Sequence, residues 1–167
     1  MFVVRQCEAR ADYAMAAELA EELARWDSAE TEKLGISGED VTQFYYTPEC
    51  DREAPAVGAV TLLASDRSVS AACSSYRELR PHECELKRLY VRPAYRETGL
   101  GRLMVASIVE KATLAGYPSM CLETTHFMRG AIRLYEEAGF ATCEPYYEIP
   151  DIFRGLSIFM RKNLQLR

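Results

Sequence analysis

The stretch Arg96-Glu97-Thr98-Gly99-Leu100-Gly101 has the residue types and spacing of a backbone cradle for a pyrophosphate. Gly99 and Gly101 admit backbone angles that other residues avoid and let the main chain approach a ligand closely. The first amides of a helix starting here have no partners inside it, and the helix dipole favours an anion at that end. Arg96 adds a positive charge at the mouth. Such a turn needs a strand before it and a helix after it. Leu89-Tyr90-Val91 reads as the end of that strand, and Leu103, Met104, Ile108 and Ala112 recur with helical spacing behind the turn. A second segment, Leu134-Tyr135-Glu136-Glu137-Ala138-Gly139-Phe140, has the look of a helix closed by glycine.

A glycine turn alone is weak, because short glycine motifs arise by chance. Here it stands in order between Glu85-Leu86-Lys87-Arg88-Leu89-Tyr90-Val91-Arg92-Pro93 and the segments Leu122-Glu123-Thr124 and Leu-Tyr-x-x-x-Gly-Phe. In that order the chain resembles the GNAT family of acetyl-CoA-dependent N-acetyltransferases. The resemblance runs through residues 83–162, weakening after Pro145-Tyr146-Tyr147, whereas the first 80 residues match only in their order of elements. It implies an α/β fold with a mixed sheet: mostly antiparallel N-terminal strands lead into a splayed parallel pair, with helices on both faces. It also implies acetyl-CoA as acyl donor, no metal, and a small-molecule or peptide amine as acceptor. Arg96, Glu97, Thr98, Gly99, Leu100, Gly101 and Arg102 would then hold the pyrophosphate. Leu89, Tyr90 and Val91 would pair with the pantetheine arm through their peptide groups, and an amide there could face the thioester oxygen.

Acetyl transfer to an amine makes two demands. The amine must be neutral, although an alkylamine resembles lysine, whose reference pKa is near 10.4. The departing thiolate must be protonated or otherwise stabilised. A carboxylate and a phenol on opposite sides of the reacting centre meet both demands. By the resemblance, Glu85 is the candidate base and Tyr135 the candidate acid. The alternatives are an ordinary strand carboxylate paired with Lys87 or Arg88, and a core aromatic on the inner face of a helix. His126 is a further base candidate, more plainly read as a hydrogen-bonded residue at a strand–helix junction. Met128 stands where many family members carry an asparagine that contacts the cofactor, so that polar contact is missing. Tyr45, Tyr46, Tyr146 and Tyr147 are candidates for an acceptor pocket, where aromatic faces can hold an ammonium, or for simple packing.

These residues require a frame. A strand is expected over Phe2–Cys7, then a helix capped by Asp12 in which Met15, Ala16, Leu19, Leu23 and Trp26 recur, with Glu18, Glu21 and Glu22 towards solvent. Ser28 to Glu53 reads as irregular, broken by Gly35, Gly38 and Pro48, with a short helix around Gly38–Tyr45. Val57–Ala64 and Val69–Leu79 read as a hairpin about Ser65-Asp66-Arg67-Ser68. Glu83–Val91 is the next strand, ended by Pro93. Helices over Leu100–Ala115 and Phe127–Ala138, and strands over Ser119–Thr124, Phe140–Ile149 and Leu156–Lys162, complete one domain over 1–167.

At 167 residues the chain can bury the core of one domain, and 49% hydrophobic with 27% charged residues is ordinary for a globular protein. A net charge of −5 disfavours nucleic acid as partner. No run approaches the length of a membrane span, and the N-terminus lacks a leader pattern, so a cytoplasmic location is expected. The cysteines at positions 7, 50, 73, 84, 121 and 143 form no Cys-x-x-Cys pair and read as free thiols, Cys84 being the one expected to be reachable. A homodimer is expected from the resemblance, with Tyr146 to Phe159 as contact region. Two other readings share the fold: a protein lysine or N-terminal acetyltransferase, and a non-catalytic acyl-CoA sensor domain, against which Glu85 and Tyr135 argue. A Rossmann site is disfavoured by the glycine order and the hairpins upstream.

Overall fold

Alternation along the middle strands decides the layering. In β2 (Val60–Asp66), Leu62 and Ala64 face one cluster of buried residues and Leu63 faces another, as a strand with a period of two requires. The computed structural model describes residues 1–46 and 58–164. Val57, Cys50 and the expected irregular stretch beyond residue 46 lie outside them.

The described elements run β1 (Phe2–Gln6), α1 (Arg10–Glu32), α2 (Gly38–Tyr45), β2, β3 (Val69–Arg80), β4 (Glu83–Val91), α3 (Leu100–Leu114), β5 (Ser119–Thr125), α4 (Arg129–Glu137), β6 (Ala141–Thr142) and β7 (Ser157–Asn163). The strands form one seven-stranded sheet in the order β1-β2-β3-β4-β5-β7-β6. Every neighbouring pair is antiparallel except β4 and β5, which run parallel. One face is covered by α3 and α4, where Leu100, Met104, Ile108 and Tyr135 meet Leu62, Leu86, Met120 and Leu122. On the other face Ala16, Leu19 and Leu23 of α1 cover Leu63, Cys73 and Tyr90. There too, Val41 of α2 joins Phe153 and Phe159. No described helix is long and apolar enough to cross a membrane.

Several expectations are corrected. The N-cap of α1 is Ala9. Asp12 lies three residues inside and accepts from the Glu8 and Ala9 amides at 3.2 Å each. The helix also continues to Glu32 through the stretch expected to be irregular. Its buried stripe goes on as Asp27 and Thr31, polar residues that break an apolar pattern without breaking the helix. Glu22 is turned inward against Arg92, and Leu103 is 41% exposed while Leu100, Met104, Val105, Ile108 and Ala112 make the buried face of α3. The expected strand from Phe140 to Ile149 is reduced to Ala141–Thr142. Cys84 is wholly buried, its thiol pushed up to about 12 first by burial, so it is not reachable.

Two features of β4 position the site. Its pairing with β5 stops at Leu86↔Leu122, although β4 continues to Val91 and β5 to Thr125. On its other edge the register with β3 shifts from Ser75↔Lys87 to Cys73↔Tyr90, so Arg88 and Leu89 stand opposite Ser74 alone. Arg88 carries a positive φ of 56°. This is a β-bulge, which bends a strand and increases its local twist. The sheet forks there.

Candidate active site

The turn after β4 is built as its sequence suggests. Pro93 opens a short 3-10 turn over Pro93–Tyr95, and Gly99, at φ 86°, is the N-cap of α3. The first α3 amide to find an acceptor inside the helix is that of Leu103, which donates to the Gly99 oxygen at 3.1 Å. The amides of Leu100, Gly101 and Arg102 therefore have no acceptor within it. Thr98 closes the turn through Oγ1 donating to the Tyr95 oxygen at 2.6 Å. Arg96 donates from Nε to the Val91 oxygen at 3.1 Å, with its guanidinium 6.0 Å from the centre of the Tyr90 ring. Glu97 takes a left-handed φ of 62°, so it serves the turn by its backbone. Arg102 pairs with Glu137 of α4 at 2.8 Å on the surface.

The two glycines act differently. A Cβ at Gly99 would meet nothing within 4 Å, so its positive φ is what requires glycine. A Cβ at Gly101 would lie 2.8 Å from Cδ1 of Leu134. The smallness of Gly101 lets α4 close on α3. The segment Leu-Tyr-x-x-x-Gly-Phe thereby acquires a physical meaning. Leu134 seats on Gly101, Gly139 at φ 88° ends the helix, and the Phe140 amide donates back to the Tyr135 oxygen at 3.0 Å in a Schellman ending.

The strand edge beside the turn is held from the α1 side. Arg92 forks onto Glu22 of α1 (2.7 Å from Nη2 to Oε1) and donates from Nη1 to the Ser70 oxygen at 2.6 Å. Tyr90 donates its hydroxyl to the same Glu22 at 3.2 Å. Leu89, Tyr90 and Val91 thus form a fixed edge with no partner on β5.

Glu85 lies at the base of the fork, only 1% exposed. Its register partners are Arg77 and Cys121, and it faces the α1–α2 side, since its neighbours Cys84 and Leu86 face α3. Arg77 holds Oε2 with Nε and Nη2 at 3.1 Å each. Oε1 accepts from the Tyr146 hydroxyl at 2.9 Å and has Lys87 Nζ at 3.6 Å. Tyr135 is buried in the cluster beneath α3, edge-on to Phe140. Burial pushes its phenol well above the usual range, so it keeps its proton at neutral pH. The base and acid candidates accordingly approach the fork from opposite faces of the sheet. His126 is exposed at the end of β5, its ring edge-on to Phe127. Met128 is the N-cap of α4 and takes a 3.5 Å contact from Thr124 Oγ1 at its sulfur.

A second carboxylate had no role assigned from sequence. Glu123 is the first residue of β5 beyond the paired stretch and faces the same side as Glu85. Ser157 Oγ donates to its Oε1 at 2.6 Å, and the Tyr147 hydroxyl donates to Oε2. Tyr45 of α2 extends this chain to Ser157 at 2.7 Å. Burial raises the Glu123 carboxyl, against the lowering effect of those hydrogen bonds. Of the four candidate pocket tyrosines, Tyr146 therefore belongs with Glu85, and Tyr45 and Tyr147 with Glu123, the two sets meeting at the edge-on Tyr146–Tyr147 ring contact. Tyr46 instead donates to Asp27 of α1 at 2.8 Å. The sequence signal for Glu123 was faint: one acid in a run of mostly buried strand residues.

Residues 14–140 match the acetyltransferase (GNAT) family. An uncharacterized N-acetyltransferase of Schizosaccharomyces pombe is 49% identical over 70 residues, which are 42% of this chain and 43% of that protein. The aligned stretch thus spans less than half of that relative. The solved structure of yncA from Salmonella typhimurium, with its cofactor acetyl-CoA, superposes with a TM-score of 0.68 at 19% identity, covering 99% of this chain and 95% of that one. The ribosomal-protein-S18-alanine N-acetyltransferase of Escherichia coli does so at 0.64 and 18%, covering 100% and 96%. At these identities the structural likeness is one of fold.

Proposed function

The chain belongs to the acetyltransferase (GNAT) family, and from that membership we propose that it transfers an acetyl group from acetyl-CoA directly to a primary amine of a small molecule or peptide. The observation that carries the proposal is the fork itself. An edge at Leu89–Val91 with no partner on β5 leads to the amides of Leu100, Gly101 and Arg102, which have no acceptor within α3, with a buried carboxylate on one face and a buried phenol on the other. The turn amides and Arg96 would hold the pyrophosphate, and the Leu89–Val91 edge would hold the pantetheine arm as an added strand. The thioester supplies an already activated acyl group, so alignment by this edge contributes to the rate alongside any side chain.

Proton movement falls to the chain's own residues. Glu85 receives the proton that frees the amine. As the amine nitrogen bonds to the acyl carbon and the carbon–sulfur bond breaks, Tyr135 gives its proton to the departing sulfur, the acylated nitrogen releases its surplus proton to water, and water returns a proton to the phenolate. Glu123 supports a second assignment of the base: it is half-buried, has a raised carboxyl, and has no ion pair among the described residues.

The test is thiol release from acetyl-CoA against a panel of amines, amino acids, polyamines, aminoglycosides and peptides. Acceptor-dependent release is the expected result, and its absence with intact coenzyme A binding points to the sensor alternative. Glu85→Gln is expected to lower kcat about 10²-fold at neutral pH and recover as pH rises. Should Glu123→Gln alone behave so, the base is Glu123. A protein lysine or N-terminal amine as acceptor remains the narrower alternative, which the peptide arm of the panel distinguishes. Cytoplasmic residence and a homodimer complete the proposal. Light scattering at micromolar concentration tests the dimer, and a monomer mass refutes it.

A further inference from the structure

We propose that the hydroxyl of Tyr146 is the relay through which the acceptor amine passes its proton to Glu85. The inference rests on Glu85 being the base, and it follows from which neighbours of Glu85 can accept a hydrogen bond. Glu85 is 1% exposed, and both of its oxygens are taken. Arg77 covers Oε2 twice, while Tyr146 at 2.9 Å and Lys87 at 3.6 Å share Oε1. An incoming ammonium has no free face of the carboxylate to reach. A guanidinium and a lysine ammonium carry donors and no acceptor, so neither can take a proton from another cation. A phenol can, because its oxygen keeps lone pairs while its own O–H points at Glu85.

The ammonium gives a proton to the Tyr146 oxygen as the Tyr146 proton moves to Glu85 Oε1. The amine becomes neutral, Glu85 becomes a carboxylic acid, and the phenol ends as it began. No phenolate has to form. That matters because burial and the nearby Glu85 charge push the Tyr146 phenol far above its usual range, so it would be a poor site for net ionisation. The ring is set for the task by its edge-on contacts with Phe159 and Tyr147, at centroid distances of 5.0 and 5.5 Å. The groups facing Glu85 are Arg77 from β3, Lys87 from β4, Cys121 and Glu123 from β5, and Tyr146 itself.

The experiment compares Tyr146→Phe, Glu85→Gln, their double variant and Tyr147→Phe. Each is assayed by thiol release with the best acceptor of the panel from pH 6.5 to 10, with coenzyme A affinity and melting temperature measured alongside. Tyr146→Phe keeps the ring and its packing. It is expected to lower kcat/KM about 100-fold near pH 7, to regain rate as pH makes the amine neutral, and to leave coenzyme A affinity unchanged. Because relay and base serve one path, the double variant should be no slower than the slower single variant. A wild-type profile for Tyr146→Phe, or losses that multiply in the double variant, overturns the relay. If Glu85→Gln still falls in that case, the base assignment stands without it. A loss confined to Tyr147→Phe moves the path to Glu123 and also overturns it. If no amine elicits thiol release, the proposed activity fails and the relay fails with it.

Discussion

Asp27 shows how a single buried side chain can set the pH response of this fold. It sits on α1, 3% exposed, with Tyr46 donating to it, and burial pushes its carboxyl up to about 6. An unfolded aspartate titrates near 3.9. A folded value raised above the unfolded one means that the folded state favours the protonated form. The associated stability is then complete below about pH 4, falls as pH rises towards 6, and is absent above that. Asp27→Asn keeps an acceptor for Tyr46 and removes the titration. It should be more stable than wild type at pH 8, by about 2–3 kcal/mol at most, with the difference vanishing near pH 4. Melting temperatures of both proteins across that range check it, and a difference independent of pH would refute it. Asp27 also explains why the sequence misled: Leu23, Asp27 and Thr31 keep a spacing of four along the buried stripe, but only the first is apolar.

At the scale of elements, β4 and α3 were legible because their ends carry punctuation that depends on few neighbours. Pro93 stops one and Gly99 starts the other. The segment after Phe140 carries apolar residues of strand type, yet Tyr146 and Tyr147 reach the carboxylates from an irregular path and Phe153 packs against α2. Periodicity reports that a residue is buried, not which surface buries it. Nor could it give the reason for Gly101, which lies across the chain at Leu134. Gly101→Val should therefore destabilise the α3–α4 contact by about 1–3 kcal/mol, and Leu134→Ala in the same chain should recover part of that loss. Gly99→Val should instead weaken coenzyme A binding, because its side chain has space but its backbone angle is forbidden. Chemical denaturation and calorimetric titration separate the two. No rescue by Leu134→Ala would remove the packing account.

Across the whole molecule, the sheet is two slabs joined along a short parallel seam, Glu83–Leu86 against Ser119–Leu122. Within the antiparallel slab β1–β4, the β2–β3 hairpin was readable from its turn. The order β5-β7-β6 was not, because the last strand inserts between earlier ones. If the open edge of β4 receives the pantetheine arm, hydrogen exchange should slow at residues 89–91 and 96–102 when coenzyme A is added. Exchange in β1 and β2, on the far side of the slab, should stay unchanged. Protection spread evenly over the sheet would argue against an edge-bound ligand.

The fork can also be described as a difference in length. Between its pairs with Ser75 and Cys73, β4 threads two residues past the one that β3 supplies. Neighbouring ribbons of unequal length cannot lie flat together, and the longer one must bow. The bow carries β4 away from β5, so the opening between them is geometric in origin and is present before any ligand arrives. Arg88 is the surplus residue, held in a backbone conformation that costs an L-amino acid free energy. Taking it out equalises the ribbons, and the seam is then free to zip past Leu86 and close the gap between β4 and β5.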